Sequence, residues 1–448
     1  MAHCFTNCCS SCCYFFQYTR TTEDGTLDES LDKIARSLPY CAGKWLPSHQ
    51  FALDRWLQRL IEEVDTKTLA EPLNPVIQSF KDAIENNAEL TMFFNQMFTE
   101  TPAQPPTKPR VKQSSPQPKI RDYQHMLQLM NHILLQAPEF HSDNAFFPAP
   151  MFAIMYKPSR TIGGYAAFLN VTVNFHLKSI FNEWAKFLAS PESCYVLTTD
   201  GWFSKESMEK MGGKFEQEFI CDPSKPHYGF TSWDGFFTRQ FRPNARPVAY
   251  PADNKVIVNA CESGPWRVER NVPKDGKFWI KGQPYNIKFM LGDDALTDIF
   301  EGGTVYQGFL DIFFYHGWHS PVDGVVRRAY VKEGTYYSRP IGETDSSQAY
   351  IAEMQTRAII AIEADNPYIG LMCFIAVGMG EVSSCEITIN EGQKVKKGQQ
   401  IGSFHFGGST HCLLFRPGVK VSFDFHGEKP GHSAGRLLVN SILATVPE

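Results

Sequence analysis

Residues Thr304 to Gly324 read TVYQGFLDIFFYHGWHSPVDG, and this stretch decides the fold class. Its first part, Thr304 to Tyr315, is a run of β-branched and aromatic residues, the composition of a buried strand. It closes on Pro321 and Asp323-Gly324, a turn signal. Lys255 to Ala260, Val325 to Val331, Ala358 to Glu363 and Leu371 to Val377 repeat the form, separated by Gly, Pro and Asp-Gly. Short strands with turn signals about every ten residues predict a β-rich, mostly antiparallel domain.

Upstream the period changes. From Ser48 to about Ser190 it is helical: Leu53, Trp56, Leu57, Leu60 and Val64 share one face, and so do Leu177, Ile180, Phe181, Trp184 and Leu188. Asn74 before Pro75 predicts an N-cap and first helical position, with Val76, Phe80, Ala83 and Ile84 turned inward. Thr101 to Ile120, with six prolines and little apolar bulk, predicts a flexible loop. The expected class is therefore α+β, a helical N-terminal region followed by a β-rich catalytic domain. Its divisions are a Cys-rich tail over 1–45, a helical region over 46–190 and a catalytic domain over 191–448.

The 448 residues are 43% hydrophobic and carry a formal charge of −5, which excludes disorder and a collagen-like chain. No basic patch speaks for nucleic acid. The longest uncharged apolar stretch, Pro367 to Gly380, is 14 residues and too short to span a bilayer. The N-terminus lacks the basic n-region and apolar core of an export signal, so a cytoplasmic location is expected. Five of the 12 cysteines cluster at Cys4, Cys8, Cys9, Cys12 and Cys13. They read as an untied tail, or alternatively as S-acylation sites that tether the chain weakly to a membrane.

Three segments of the β-rich half carry chemistry. Asp253 sits in Tyr250-Pro-Ala-Asp-Asn-Lys just before a strand, His316 and His319 lie in the opening stretch, and Ser409 follows two glycines in Phe404-His-Phe-Gly-Gly-Ser-Thr410. Separately, Asp253 and Asp323 read as turn formers, the histidines as a core pair, and Gly407-Gly408-Ser409 as a tight turn. Together they supply an acid to orient an imidazole, an imidazole to take a proton, and a hydroxyl to attack. A serine hydrolase using Asp253, His319 and Ser409 is one outcome, but the nucleophile elbow G-x-S-x-G is absent around Ser409. Two glycines ahead of the serine instead permit strained backbone and close approach of the hydroxyl to the Gly408 carbonyl.

The Pro-Ala-Asp before a strand, YHGWHSPVDG and FHFGGST together resemble the phosphatidylserine decarboxylase family of pyruvoyl enzymes. IKGQPYNIKFMLGDD (Ile280 to Asp294), FFTRQFRPNARPV and VGMGEVSSCEITINEGQKVKKGQQIGSF (Val377 to Phe404) support the match, which spans about Tyr228 to Phe415. The helical first half is similar to that of fungal members acting on free amino acids, the L-tryptophan decarboxylases.

The resemblance implies self-cleavage. Ser409, deprotonated by His319 with Asp253 behind it, would attack the Gly408 carbonyl and turn the peptide into an ester. β-Elimination would free the Gly408 carboxylate, and the dehydroalanine left at 409 would hydrolyse, losing ammonia, to a pyruvoyl group. The mature enzyme would then be chains of 408 and 40 residues that stay associated, out of 448. The cofactor so made from Ser409 serves as electron sink for decarboxylation. His316 matches a family histidine that contacts the substrate carboxylate or delivers a proton. No metal is expected. The helical region and the aromatic content, 35 Phe, 17 Tyr and 8 Trp, favour an aromatic amino acid, tryptophan to tryptamine first, with phosphatidylserine as the alternative substrate.

Overall fold

The helical period upstream of residue 190 becomes a stack of helices whose apolar stripes meet. A computed structural model describes residues 50–67, 72–100, 119–140, 149–274, 285–292, 295–338, 347–382, 384–406, 409–431 and 433–447. The Cys-rich tail and positions 101–118 of the proline-rich loop lie outside them. The helices are α1 (Gln50–Lys67), α2 (Pro75–Glu85), α3 (Ala88–Thr99), α4 (Tyr123–Ile133), α5 (Pro150–Met155), α6 (Ile162–Leu169) and α7 (Val171–Leu188). Asn74 caps α2 as its sequence predicts, accepting from the Val76 amide at 3.0 Å. Of the predicted inward residues of α2, Phe80 and Ile84 are buried and Val76 packs half-buried against the same core; Ile77 joins the buried stripe and Ala83 is only half-buried. All five predicted residues of α7 are buried.

Short helices α8 (Lys205–Lys210), α9 (Phe215–Glu218) and α10 (Trp233–Phe237) follow, and strands begin at Val256. In order these are β1 (Val256–Val258), β2 (Gly264–Val272), β3 (Gly303–Leu310), β4 (Gly317–His319), β5 (Gly324–Lys332), β6 (Arg357–Ala364) and β7 (Leu371–Gly378). β8 (Ser384–Ile387), β9 (Lys394–Val395), β10 (Gln400–His405), β11 (Ser409–Phe415), β12 (Ser422–Phe423) and β13 (Ile442–Thr445) complete them. They pair in the orders β2-β3-β11-β7-β6-β5-β9, β4-β10-β8 and β1-β13-β12, every adjacent pair antiparallel.

Why β6 and β7 read as unbroken apolar runs is plain from the layers. Met372, Phe374 and Ala376 of β7 face one core, which Trp318, Ile401 and Phe404 of the β4-β10-β8 sheet complete. Cys373, Ile375 and Val377 face the opposite core, closed by Ile287, Met290, Leu291 and Ala352. Both faces are covered, so the polar-out alternation of a half-exposed strand is lost.

The run Thr304 to Tyr315 is not one strand. β3 ends at Leu310, where Asp311 turns the chain, its carboxylate accepting from the Phe313 amide at 3.2 Å and its carbonyl from Phe314 at 2.9 Å. The aromatic residues after that turn leave the sheet. Ile312, Phe313 and Tyr315 enter the core of the helices instead, together with Tyr336, Tyr337 and Phe406. Helical region and catalytic half thus share one apolar cluster. Among the described residues no helix is long and apolar enough to cross a membrane.

Candidate active site

Ser409 opens β11, the strand held between β3 and β7, where its backbone stands opposite Leu310 on one side and Gly378 on the other. A strand, not a helix, follows the serine, which is the reverse of a hydrolase elbow. Gly407 and Gly408 lie outside the described residues. Immediately before them, Phe406 has φ +55°, a left-handed backbone that costs a residue with a β-carbon about 1–2 kcal/mol. Its ring is buried edge-on against Trp184 at 4.6 Å and Trp233 at 4.9 Å. His405 is fixed as firmly: Nδ1 meets the Asp234 carboxylate at 3.0 Å and Nε2 meets Glu386 at 3.0 Å. Those partners, Asp234 foremost, push its pKa up to about 9 and keep the ring charged.

β10 runs antiparallel to β4, placing Gln400 opposite His319 and Ser403 opposite Gly317, and the Phe404 amide donates to the His316 carbonyl at 3.1 Å. His316 therefore pairs nearer than His319 to the end of β10 that leads into His405 and Phe406. Its ring is fully buried and tilted over Phe237 at 4.4 Å. Nδ1 bonds the Phe314 carbonyl at 2.9 Å and Nε2 has no partner among the described residues. Burial, with the Arg239 guanidinium, drives its pKa down to about 3, so the imidazole is neutral with an open lone pair on Nε2.

His319 is also buried and neutral, its pKa lowered by burial to about 4. Nδ1 bonds the Gly398 carbonyl at 2.7 Å, and since a carbonyl can only accept, the proton is on Nδ1. Nε2 then accepts from the Tyr315 hydroxyl at 3.0 Å. Gly317 makes room for this: a β-carbon there would lie 2.1 Å from the Tyr315 hydroxyl oxygen.

Asp253 is exposed and does not make the expected direct bond to His319. Its carboxylate accepts from the Lys255 amide at 3.0 Å, closing its own turn, because the Asx geometry favours the nearest backbone donor. The link to His319 is indirect. The Lys397 ammonium donates to the carbonyls of Tyr250, Asp253 and Val256 at 2.7, 2.7 and 3.2 Å, and Gly398, the next residue, holds the His319 ring. Burial lowers the pKa of that ammonium against the opposing charges of Asp323 and Asp253.

One buried carboxylate escapes sequence reasoning. Glu381, three residues beyond the partner of Ser409, accepts from the Met151 and Phe152 amides at the start of α5 at 3.1 and 2.9 Å and from the Tyr337 hydroxyl at 2.9 Å. It fastens the helical region to the end of β7 beside Ser409, and burial pushes its pKa up to about 7 against those three bonds. Tyr315, Lys397, His405 and Phe406 were equally unmarked, although Gly317 between Tyr315 and Trp318 was a visible clue to a close approach. Among the described residues no group of three or more His, Cys, Asp and Glu could hold a metal ion.

Comparison with known proteins bears on this arrangement. A family profile described as phosphatidylserine decarboxylase matches residues 233–435, and a second of the same description matches residues 74–211. A decarboxylase of Amanita muscaria, iboD, is 41% identical over 67% of this chain and 92% of its own length. An L-tryptophan decarboxylase of Psilocybe cubensis is 34% identical over 79% of this chain and 83% of its own. Its counterpart in Psilocybe cyanescens is 35% identical over 90% of this chain and 94% of its own.

Proposed function

We propose that this chain, which belongs to the phosphatidylserine decarboxylase family and is a carboxy-lyase, cleaves itself between Gly408 and Ser409 and decarboxylates an aromatic L-amino acid, tryptophan first. The observation that carries the reading is the placement of Ser409. It begins a strand paired on both sides, while His405 and Phe406 ahead of it are held by their own side chains. Both ends would stay anchored after a cut between them, which a new terminal pyruvoyl group requires. That group supplies a ketone that takes up the substrate amine and draws off the electron pair left as carbon dioxide departs.

The chain's own residues would do the rest. His319, neutral with its proton on Nδ1, is suited to take the Ser409 proton at Nε2 once Tyr315 yields that position. Asp253 acts through Lys397 and Gly398 as a positioning residue. His316, whose Nε2 has no partner among the described residues and whose ring is buried against Phe237, suits proton delivery or carboxylate contact in turnover. The tryptophan preference rests on relatives that match through the helical region as well as the catalytic half.

Carbon dioxide release from tryptophan, tyrosine, phenylalanine and phosphatidylserine vesicles, compared with one preparation, tests the substrate. Release from tryptophan well above the lipid is expected. Release from the lipid alone would overturn the assignment.

A further inference from the structure

Ahead of the Gly408–Ser409 bond, two adjacent residues are gripped by two other adjacent residues. Trp233 packs on Phe406 and Asp234 pairs with His405, both from α10. The second jaw comes from the helical region: Trp184 of α7 meets the Phe406 ring edge-on at 4.6 Å, and its indole N–H is fixed on the Gln136 carbonyl at 2.8 Å. The residue so held has a left-handed backbone, a conformation that costs phenylalanine backbone strain. Trp233 also stacks on Phe237, the ring that lies against His316.

We propose that the helical region works in self-cleavage, with Trp184 and Trp233 as positioning residues that clamp Phe406 and so aim the chain at the Gly408–Ser409 bond. Edge-on aromatic contacts are ordinary core packing, but a ring that only fills space does not need its backbone turned to positive φ. A positioning role for the two indoles accounts for that turn. It also gives the helical region a task in cofactor formation, apart from any share in substrate choice. The inference rests on the reading of Gly408–Ser409 as the cut bond.

The test follows cleavage of freshly translated full chain by denaturing mass spectrometry, with thermal midpoints measured in parallel. Trp184→Phe keeps an aromatic edge and should cleave near the wild-type rate, whereas Trp184→Leu and Phe406→Leu should cleave about tenfold or more slowly. A packing role alone would slow no variant whose midpoint matches that of Trp184→Phe. Should Trp184→Leu fail to fold, Phe406→Leu decides, since Phe406 lies outside the helices and leucine keeps its site apolar. Wild type cut and both leucine variants cut as fast would overturn the clamp while sparing the cleavage reading; wild type uncut would remove the reading itself.

Discussion

The Tyr315 hydroxyl donates to Nε2 of His319 at 3.0 Å, occupying the one lone pair through which that imidazole can act as a base. The two residues are four apart, and the tyrosine is buried in apolar surroundings that push its own pKa up, so it stays a neutral donor. The ring is thus held ready and masked by the same bond.

Unmasking gives the first expectation. Tyr315→Phe leaves Nε2 without a partner, costs about 1 kcal/mol of stability and still self-cleaves, whereas His319→Ala stays uncut. Gel analysis of both after expression checks this. An uncut Tyr315→Phe would mean that the hydroxyl itself carries the proton.

Lys397 links the Asp253 turn to His319: its ammonium donates to the Asp253 backbone carbonyl, and the carbonyl of the next residue, Gly398, bonds the His319 ring. Asp253→Asn and Lys397→Met should each slow cleavage about tenfold or more, and the double variant should be no slower than the worse single one. Additive losses in that double-mutant cycle would separate the two residues.

His316→Asn keeps a donor for the Phe314 carbonyl but has nothing at the position of Nε2. It should self-cleave normally and lose about a hundredfold in kcat with the pyruvoyl group formed. Unimpaired turnover in a cleaved His316→Asn preparation would refute a role in the reaction.

His405 makes stability depend on alkali. Its folded pKa, about 9, lies above the ordinary 6.5, so the contribution of the charged ring is complete below about 6.5 and is lost as pH rises through 9. Asp234 and Glu386 face it directly, and Lys178 and Glu333 line the same cleft. The wild-type thermal midpoint should fall over that window relative to Asp234→Asn. Parallel curves for the two proteins would remove the ion pairs from the account.

Much of this was legible in the chain itself. Strand composition marked β5, β6 and β7, and Asn74-Pro75 marked a helix start. What stayed hidden depends on pairing between distant segments. Gly398 reaches His319 only because β10 lies antiparallel to β4, and Lys397 reaches the Asp253 turn by the same approach. Asp311 inside an apolar run was a turn former in plain view, but the aromatic residues on both sides outweighed it in the reading. The φ of Phe406 leaves no trace in composition, since strain is held by its neighbours and not by the residue.

Denaturing mass spectrometry of the purified protein tests the central claim most directly. Two chains are predicted, residues 1–408 and residues 409–448, with the smaller one lacking a free amino terminus and shifting in mass on treatment with a hydrazine. A single unmodified species at the full mass of the chain would contradict it.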